Sequence, residues 1–369
     1  MRKTFKYRLY PSKTQITKLN NILEQTRWVY NETLALKKNA WETEKKSISL
    51  YDSNKELTKW KAVKSELKGV FSQVLQNAQL RVDLAFKAYF RRCKTKENPG
   101  YPRFKGYKRY DSITYPQAGF RLHSDSVYLS KIDRVKIILH RPVIGTIKTC
   151  TVRKSSTGKW FVCFSCEVEK QKPLPKTKKM TGIDLGLITY IQCSDGSKVN
   201  KPRFFKQKQE ALAKVQRRFS KNKSCHNRHS VALVHESIKN KREDFCHKTS
   251  KKLVDKYDFI SHEGLNVKSL LEKKEFSKSI SDASWSTLIQ FLTYKAENAG
   301  RTIIAVDPRG TSQRCSQCGT IVPKTIKDRF HNCPHCGFKA SRDLNSAIEI
   351  LRLGLESIEL ETIHRSPRL

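Results

Sequence analysis

Four cysteines near the carboxyl-terminal end constrain the fold of this chain more than any other feature. Cys315, Cys318, Cys333 and Cys336 follow the pattern C-x2-C-x14-C-x2-C. Each Cys-x-x-Cys pair can turn two thiolates toward one ion, and the segment between the pairs has the length of a small ribbon. The spacing therefore predicts a ribbon at residues 309–338 in which four thiolates hold one structural Zn²⁺.

The charge of the chain indicates a polyanionic partner. Lys and Arg total 74 against 34 Asp and Glu, which gives a formal net charge of +40 over 369 residues. Such self-repulsion is tolerated mainly when the working partner is a polyanion, and nucleic acid is the natural candidate. The sequence contains no long apolar run, no signal-peptide pattern and no single cationic amphipathic helix. We therefore expect no membrane partner and a soluble protein in the cytoplasm, associated with the nucleoid.

The other seven of the eleven cysteines are scattered along the chain, which fits a reducing compartment. Cys163 and Cys166 share the Cys-x-x-Cys spacing, but they lie in an alternating strand pattern with no second pair nearby. Cysteines within strands usually pack as small hydrophobic residues. We interpret these two as core residues rather than metal ligands.

The first part of the chain predicts a strand, a run of helices and then further strands. Apolar and polar side chains alternate up to Pro11, and Ser12 with Gln15 forms a capping box at the start of a helix. Two more helical patterns follow before the β signals begin. The strands at 1–11 and 113–172 are predicted to close a small β-barrel, with a helical region at 12–112 inserted after the first strand.

Cations alternate with aromatic residues from Pro99 to Tyr110, in a segment too rich in Pro and Gly to form a helix. Such a composition suits phosphate contact combined with base stacking. The polar side chains of the third helix have two interpretations, a solvated face or a groove for backbone phosphates. A stretch at 201–218 is also strongly basic. The candidate nucleic-acid contacts are Gln76, Gln79, Arg103, Phe104, Lys105, Arg217 and Arg218.

The second part of the chain predicts a mixed α/β unit. A Lys- and Pro-rich segment at 173–179 is predicted to be a linker. A strand pair comes next, followed by long helical patterns, two buried strands and a final helix. This order describes a mixed sheet flanked by helices, at 180–308 and 339–369, that is interrupted by the ribbon.

Three carboxylates in this unit lie at positions where an ionised side chain needs a specific reason. Asp184 lies on an apolar strand, Glu263 ends another strand, and Asp343 falls in the first turn of the final helix. A buried ionised carboxylate is costly unless it is paired or binds a cation, and a few hard oxygen ligands are what Mg²⁺ selects. Two Mg²⁺ ions about 4 Å apart can support in-line displacement at phosphorus. Taken singly, Asp343 could instead satisfy the helix dipole, and Glu263 could be an exposed loop acid.

Motifs along nearly the whole chain resemble the TnpB family, transposon-encoded relatives of the type V CRISPR effectors. They agree in order and spacing, and the ribbon interrupts the nuclease region at the same place. The motifs are Tyr7-Arg8-Leu9-Tyr10-Pro11, Tyr101-Pro102-Arg103-Phe104-Lys105, Gly182-Ile183-Asp184-Leu185-Gly186, His262-Glu263-Gly264-Leu265-Asn266-Val267, Ser279-Ile280-Ser281-Asp282-Ala283-Ser284-Trp285, Val306-Asp307-Pro308, Thr311-Ser312-Gln313 with the four cysteines, and Arg342-Asp343-Leu344-Asn345-Ser346-Ala347.

The resemblance implies an RNA-guided DNA endonuclease with an RNase H-like (RuvC) core, and it makes Asp184, Glu263 and Asp343 the catalytic ligands of Mg²⁺. It further implies a wedge-type barrel interrupted by a helical recognition region, a structural Zn²⁺, and a guide RNA derived from the transposon end. The target is double-stranded DNA beside a short flanking motif, and we expect a monomer in the complex. Gly264 departs from the family, which more often has a second acid there. Glycine at this position removes one negative charge but no metal ligand.

The leading hypothesis is Mg²⁺-dependent phosphodiester hydrolysis of DNA, with sequence specificity delegated to base pairing by the bound RNA. One alternative is a guided DNA-binding regulator that does not cut. Against it stands the intact acidic triad. Another alternative is a zinc-ribbon accessory protein of transposition that acts without a guide. RNA that co-purifies with the protein separates this last alternative from the other two.

Overall fold

The computed structural model describes residues 1–170, 172–266, 270, 272, 277–325 and 328–365. The chain forms two compact units, Met1–Glu169 and Lys170–Leu369. Val267 of the family motif lies outside the described residues. Within the described ranges, every helix is too short or too polar to serve as a membrane span.

The first unit is built on a seven-stranded antiparallel sheet with β1 near its centre. The strand order is β2-β6-β7-β1-β5-β4-β3. Phe5, Tyr7 and Leu9 of β1 are buried and the residues between them are more exposed, because alternate side chains of a strand face opposite sides of the sheet. The strands are β1 (Arg2–Tyr10), β2 (Ser112–Tyr115), β3 (Phe120–Leu122), β4 (Ser126–Leu129), β5 (Asp133–Ile138), β6 (Thr146–Lys154) and β7 (Trp160–Glu167).

Three helices lie between β1 and β2 along the chain, as the sequence predicts. They are α1 (Lys13–Glu44), α2 (Leu50–Val63) and α3 (Ser72–Lys94). The capping box at the start of α1 is confirmed, since Gln15 N–H donates to Ser12 Oγ at 3.2 Å and Ser12 N–H donates to Gln15 Oε1 at 3.0 Å. One continuous core joins these helices to the sheet.

The sheet of this unit is nearly closed, whereas the sequence predicts a closed barrel. β2 and β3 are its two edges, and no hydrogen-bonded ladder joins them in this unit, all of whose residues are described. The hydroxyl of Tyr115, the last residue of β2, donates to Ser130 O at 3.1 Å just after β4. β2 and β3 have only four and three residues, and the sequence patterns do not mark them as separate strands, although β3 and most of β2 lie within the predicted strand region 113–172.

The second unit is a five-stranded mixed sheet in the order β10-β9-β8-β11-β12. β8, β11 and β12 are parallel to one another, and β9 pairs antiparallel with both β8 and β10. The strands are β8 (Met180–Asp184), β9 (Thr189–Cys193), β10 (Lys198–Asn200), β11 (Phe259–Glu263) and β12 (Thr302–Val306), with a separate pair β13 (Phe330–Asn332) and β14 (Lys339–Ser341). The helices are α4 (Phe204–Lys221), α5 (Cys225–Lys256), α6 (Ser277–Ala283), α7 (Trp285–Ala299) and α8 (Arg342–Arg365).

Helix α8 packs directly on β8 and β11 because small residues stand at both crossings. A Cβ added to Gly182 of β8 would lie 2.1 Å from the backbone oxygen of Ala347 in α8. A Cβ added to Gly354 of α8 would lie 2.5 Å from Cβ of Ser261 in β11. This close approach fixes where the first turn of α8 meets the sheet.

Substitution of Gly182 by alanine is therefore expected to force α8 away from β8. The added methyl group would overlap backbone atoms, which cannot rotate aside, and we expect a loss of about 3 kcal/mol in the free energy of unfolding. Urea titration followed by tryptophan fluorescence measures this loss. Gly69→Ala is the control, because a Cβ added there meets no atom within 4 Å. Equal midpoints for the two variants would contradict this account of the packing.

The segment at 173–179, which reads as a linker in the sequence, is bound to the second unit. The carboxylate of Asp258 accepts hydrogen bonds from Thr177 N–H at 2.9 Å and Lys178 N–H at 2.7 Å, and these donors hold its pKa below the ordinary value. Arg301 forms an ion pair with the same carboxylate and donates to Pro175 O at 2.8 Å. The side chains that bind this segment lie about 80 and 120 positions further along the chain, so local composition gives no sign of them.

Candidate functional site

The four cysteines come together as their spacing predicts. One sulfur from each lies within 4.8 Å of the others. Sγ of Cys315 is 3.7 Å from Sγ of Cys336, and Sγ of Cys318 is 3.5 Å from Sγ of Cys333. Four thiolates around one zinc, with Zn–S bonds of about 2.3 Å, stand about 3.8 Å apart in a tetrahedron. The cluster therefore fits one Zn²⁺.

The two halves of this cluster fold alike. Cys315 N–H donates to Thr320 O and Cys333 N–H donates to Phe338 O, both at 2.9 Å, so each cysteine pair sits on a tight turn. The hydroxyl and N–H groups of Thr320 lower the pKa of the Cys318 thiol to about 5. A lowered pKa favours the thiolate, which is the form that binds a metal.

The three carboxylates are carried by three elements that meet at one end of the sheet. Asp184 ends β8 and Glu263 ends β11, and these strands are parallel with His262 opposite Ile183. The next positions in this register are Glu263 and Asp184, whose side chains face the same side of the sheet. Asp343 lies in the first turn of α8, the helix that packs on that face.

The electrostatics of the site show that the carboxylates act on each other. Burial raises the pKa of the Asp184 carboxyl to about 8, and the negative charges of Glu263 and then Asp343 add to the rise. Burial also raises the pKa of Glu263, while a hydrogen bond from Thr311 lowers it. Such repulsion between buried acids is relieved when a cation binds between them.

The ligand atoms of the three carboxylates are nevertheless more widely spaced than the four cysteine sulfurs. Among the residues that the structure describes, only the four cysteines bring one ligand atom each within 4.8 Å of one another. Arg342 lies beside the acids, with Nη2 at 3.3 Å from Asp343 Oδ1, and its positive charge lowers the pKa of Asp184. The donor set consists of carboxylate oxygens, which are the hard ligands that Mg²⁺ prefers.

Sequence reasoning gave no role to Thr311, Arg342 or Asn345, although all three lie in the family motifs. Thr311 contacts Glu263, and Arg342 contacts Asp343. Asn345 binds the backbone on both sides of Cys315. Their position in the motifs just before Cys315 and around Asp343 is the signal that could have singled them out.

One candidate nucleic-acid contact is corrected by the structure. Gln79 is fully buried in α3, and its amide nitrogen donates to Ser53 O. It packs α3 against α2, and its burial keeps it away from a ligand at the surface. The other candidates have exposed side chains, and these are Gln76, Arg103, Phe104, Lys105, Arg217 and Arg218.

The aromatic and basic segment is anchored to α1 at Lys105. Asn31 accepts from Lys105 N–H at 2.8 Å, and Asn31 and Arg27 both donate to Lys105 O, at 3.0 and 2.8 Å. Phe104 is 53% exposed beside this anchor, so a fixed backbone presents a free ring to solvent.

Cys163 and Cys166 lie on opposite faces of β7, since they are three positions apart and successive side chains of a strand alternate between its faces. Cys166 is fully buried in the core of the first unit. Their thiols cannot turn to one ion without breaking the strand.

Three family models match this chain. One described as "Probable transposase" matches residues 163–274, one described as "Cas12f1-like, TNB domain" matches 285–350, and one described as "Helix-turn-helix domain" matches 1–46. In the structure, the last of these regions forms β1 and a single continuous helix, α1, rather than two helices joined by a turn.

Relatives match over almost the full length. A protein of Streptomyces pristinaespiralis named "Putative RNA-guided DNA endonuclease" is 34% identical, over 96% of this chain and 90% of its own. One of Escherichia coli (strain K12) named "Putative RNA-guided DNA endonuclease InsQ" is 29% identical, over 95% and 92%. Among solved structures, "Structure of the mini-RNA-guided endonuclease CRISPR-Cas_phi3" aligns with a TM-score of 0.56 at 10% identity, over 96% of this chain and 92% of that one. This last likeness concerns the fold.

Proposed function

This chain belongs to the TnpB family of RNA-guided DNA endonucleases, and from that membership we propose that it cuts double-stranded DNA at sites chosen by a bound RNA. The guide comes from the end of the transposable element that encodes the protein, and the target lies beside a short flanking motif. The complex contains one copy of the chain. With a net charge of +40, the protein has the sequence-independent affinity for both nucleic acids that this activity needs.

The catalytic residues of this proposal are Asp184, Glu263 and Asp343. One observation carries the assignment: three acids from β8, β11 and α8 meet closely enough that Glu263 and Asp343 raise the pKa of Asp184. Folding brings these charges together at a cost in stability, and binding of two Mg²⁺ ions would offset that cost. When bound, Mg²⁺ generates a nucleophile from water and stabilises charge on the leaving oxygen.

The three acids differ in how the fold positions them to hold these ions. Asp184 is central, because both other carboxylates act on it, and it would hold the cations together with Glu263 and Asp343. Strands β8 and β11 hold Asp184 and Glu263 rigidly, and Asp343 approaches from the helix. A raised pKa means that Asp184 binds a proton when no cation is present, so cation binding competes with protonation.

We further propose a domain for each part of the chain. The sheet β8 to β12 with α8 forms the RNase H-like (RuvC) nuclease core, at 180–308 and 339–369, and the cysteine ribbon at 309–338 lies next to the nucleic-acid channel. Residues 1–11 and 113–172 form the wedge-type barrel, and 12–112 form the recognition region. The two alternatives, a guided regulator that does not cut and a guide-independent accessory protein, are not favoured, since two relatives that match nearly the whole chain are named as endonucleases.

This function is tested by expressing the protein together with the transposon DNA that flanks its gene. The protein is then purified, and the RNA that co-purifies with it is sequenced. We expect one RNA species whose end can be replaced by a chosen guide. A plasmid that carries the matching target and a library of flanking sequences should then be cut in Mg²⁺ and left intact without it. A plasmid without the target is the control. Absence of RNA would support the accessory protein, and bound but uncut target would support the regulator.

A further inference from the structure

Glu263 is held by a hydroxyl group that comes from outside the sheet. The hydroxyl of Thr311 lies 2.5 Å from Oε1 of Glu263, and Thr311 is only 2% exposed. Glu263 itself is 9% exposed, so water cannot replace this partner freely. The contact therefore restricts how the Glu263 carboxylate can turn.

The hydroxyl of Thr311 has a second possible acceptor, Pro308 O at 3.1 Å. A hydroxyl carries one hydrogen, and a charged carboxylate is a stronger acceptor than a carbonyl oxygen. Thr311 therefore donates to Glu263 when Glu263 is ionised, which is the form that binds a cation. This leaves Oε2 of Glu263 free of the Thr311 contact.

The position of Thr311 depends on the loop that leads into the first cysteine pair. Arg314 N–H donates to Gly310 O at 2.8 Å, which closes the chain around Thr311. The ammonium group of Lys324, on the far side of that cysteine pair, donates to Ser312 O at 2.7 Å. Thr311 is thus built into the ribbon rather than into the sheet.

The same cysteine turn is bound to the helix that carries Asp343. The side chain of Asn345 is fully buried; its Nδ2 donates to Arg314 O at 2.8 Å, and its Oδ1 accepts from Ser316 N–H at 3.0 Å. These two backbone groups flank Cys315. The ribbon therefore contacts elements at two of the three carboxylates, Glu263 through Thr311 and the Asp343 helix through Asn345.

We propose that Thr311 is a positioning residue, which holds the Glu263 carboxylate in the orientation that binds a divalent cation and makes that orientation depend on the folded ribbon. The proposal rests on the proposed function, since it assigns cation binding to Glu263. Thr311 does not touch the reacting atoms. It acts through Glu263, as the partners that orient metal ligands commonly do, and loss of such a partner typically lowers metal affinity about 10- to 100-fold.

The test compares Thr311→Val, which keeps the shape and removes the hydroxyl, with Thr311→Ser, which keeps the hydroxyl. Mn²⁺ binding to the full-length, zinc-loaded protein is measured by calorimetry, a readout independent of cleavage. We expect affinity to fall about 10-fold in Thr311→Val and to stay within about 2-fold of wild type in Thr311→Ser. Thr249→Val is the matched control, because Thr249 is a buried threonine of the same unit, 5% exposed, in α5.

Equal Mn²⁺ affinity in wild type and Thr311→Val would overturn the proposal. Thr311→Ala supplies the same comparison if valine prevents folding, since it also lacks the hydroxyl and adds no bulk. Cleavage by the RNA complex is measured on the same variants over a range of Mg²⁺ concentrations. If wild type does not cleave, the proposed function fails, and the Mn²⁺ comparison still decides the role of Thr311. If wild type and Thr311→Val cleave with the same Mg²⁺ requirement, the positioning role alone fails.

Discussion

Replacement of Asp184 by asparagine is expected to abolish Mg²⁺-dependent cleavage while RNA and target DNA stay bound. Asp184 is the carboxylate on which both Glu263 and Asp343 act, so its replacement removes the central one of the three ligands that would hold the cations. Loss of about 4 kcal/mol of transition-state stabilisation corresponds to a rate at least about 10³-fold lower. Single-turnover cleavage measures the rate, and filter binding measures retention of the target.

The same substitution should stabilise the protein when no divalent cation is present. The pKa of Asp184 is about 8 in the folded chain against an ordinary value of 3.8, so folding disfavours its ionised form. Below about pH 4 the group is protonated in both states and costs nothing; the cost grows as pH rises and levels off above about pH 8. Asparagine removes it, and we expect a gain on the order of 1–3 kcal/mol at pH 8 that disappears near pH 4.

Urea unfolding in Mg²⁺-free buffer, with zinc retained, measures this gain at each pH. Asp244→Asn is the control, because Asp244 is an exposed acid of α5, 61% exposed, that pairs only with Lys248 among the described contacts. This control should cleave normally and gain no stability. Wild-type cleavage by Asp184→Asn would remove Asp184 from the site. Loss of cleavage without any gain in stability would mean that folding does not disfavour the ionised form of Asp184.

Sequence patterns were sufficient where a short element has a strong local signal, although β12, predicted to be a buried strand, has only Val306 buried. β11 and β12 have the bounds that their apolar runs predict, and Gly300 ends α7 in the left-handed conformation expected of a helix cap. The four cysteines were also predictable, because ligand spacing and ion geometry constrain each other. In each case the signal and its cause lie within one short continuous segment of the chain.

Contacts between distant residues could not be predicted in this way. Gln79 reads as a polar helix residue, yet it stands four positions after Leu75 and three before Val82, both fully buried, and so faces the core. Its partner, Ser53 O, belongs to another helix. The hydrogen bond from Thr311 to Glu263 likewise joins residues 48 positions apart. Such pairs are set by tertiary packing, which periodicity does not encode.

Replacement of Cys315 and Cys333 by serine together is expected to release zinc and to unfold the ribbon at 309–338. Each substitution removes a buried thiolate, one from each turn of the cluster. Zinc binding contributes about 10–16 kcal/mol to small four-ligand domains, and among its described residues the ribbon has one strand, the three-residue β13, which pairs with β14 just beyond the ribbon. Elemental analysis measures zinc per chain, and hydrogen exchange measures loss of order in the ribbon.

Cys93→Ser with Cys225→Ser is the matched control, since both thiols are exposed and lie outside the cluster. This variant should keep one zinc per chain and normal protection in the ribbon. Unchanged zinc content in the Cys315 and Cys333 double variant would show that the four cysteines do not form the metal site.

Loss of the ribbon should also reach the carboxylates, although all three remain in the chain. Asn345 would lose the backbone groups that flank Cys315, and Thr311 would no longer be fixed beside Glu263. We therefore expect the double serine variant to bind Mn²⁺ more weakly than wild type, by about the 10-fold expected of Thr311→Val, and to cleave slowly even at high Mg²⁺. Since β8 and β11 lie in the sheet, they should keep their protection from exchange. A zinc-free protein with wild-type Mn²⁺ affinity would show that the two metal sites are independent.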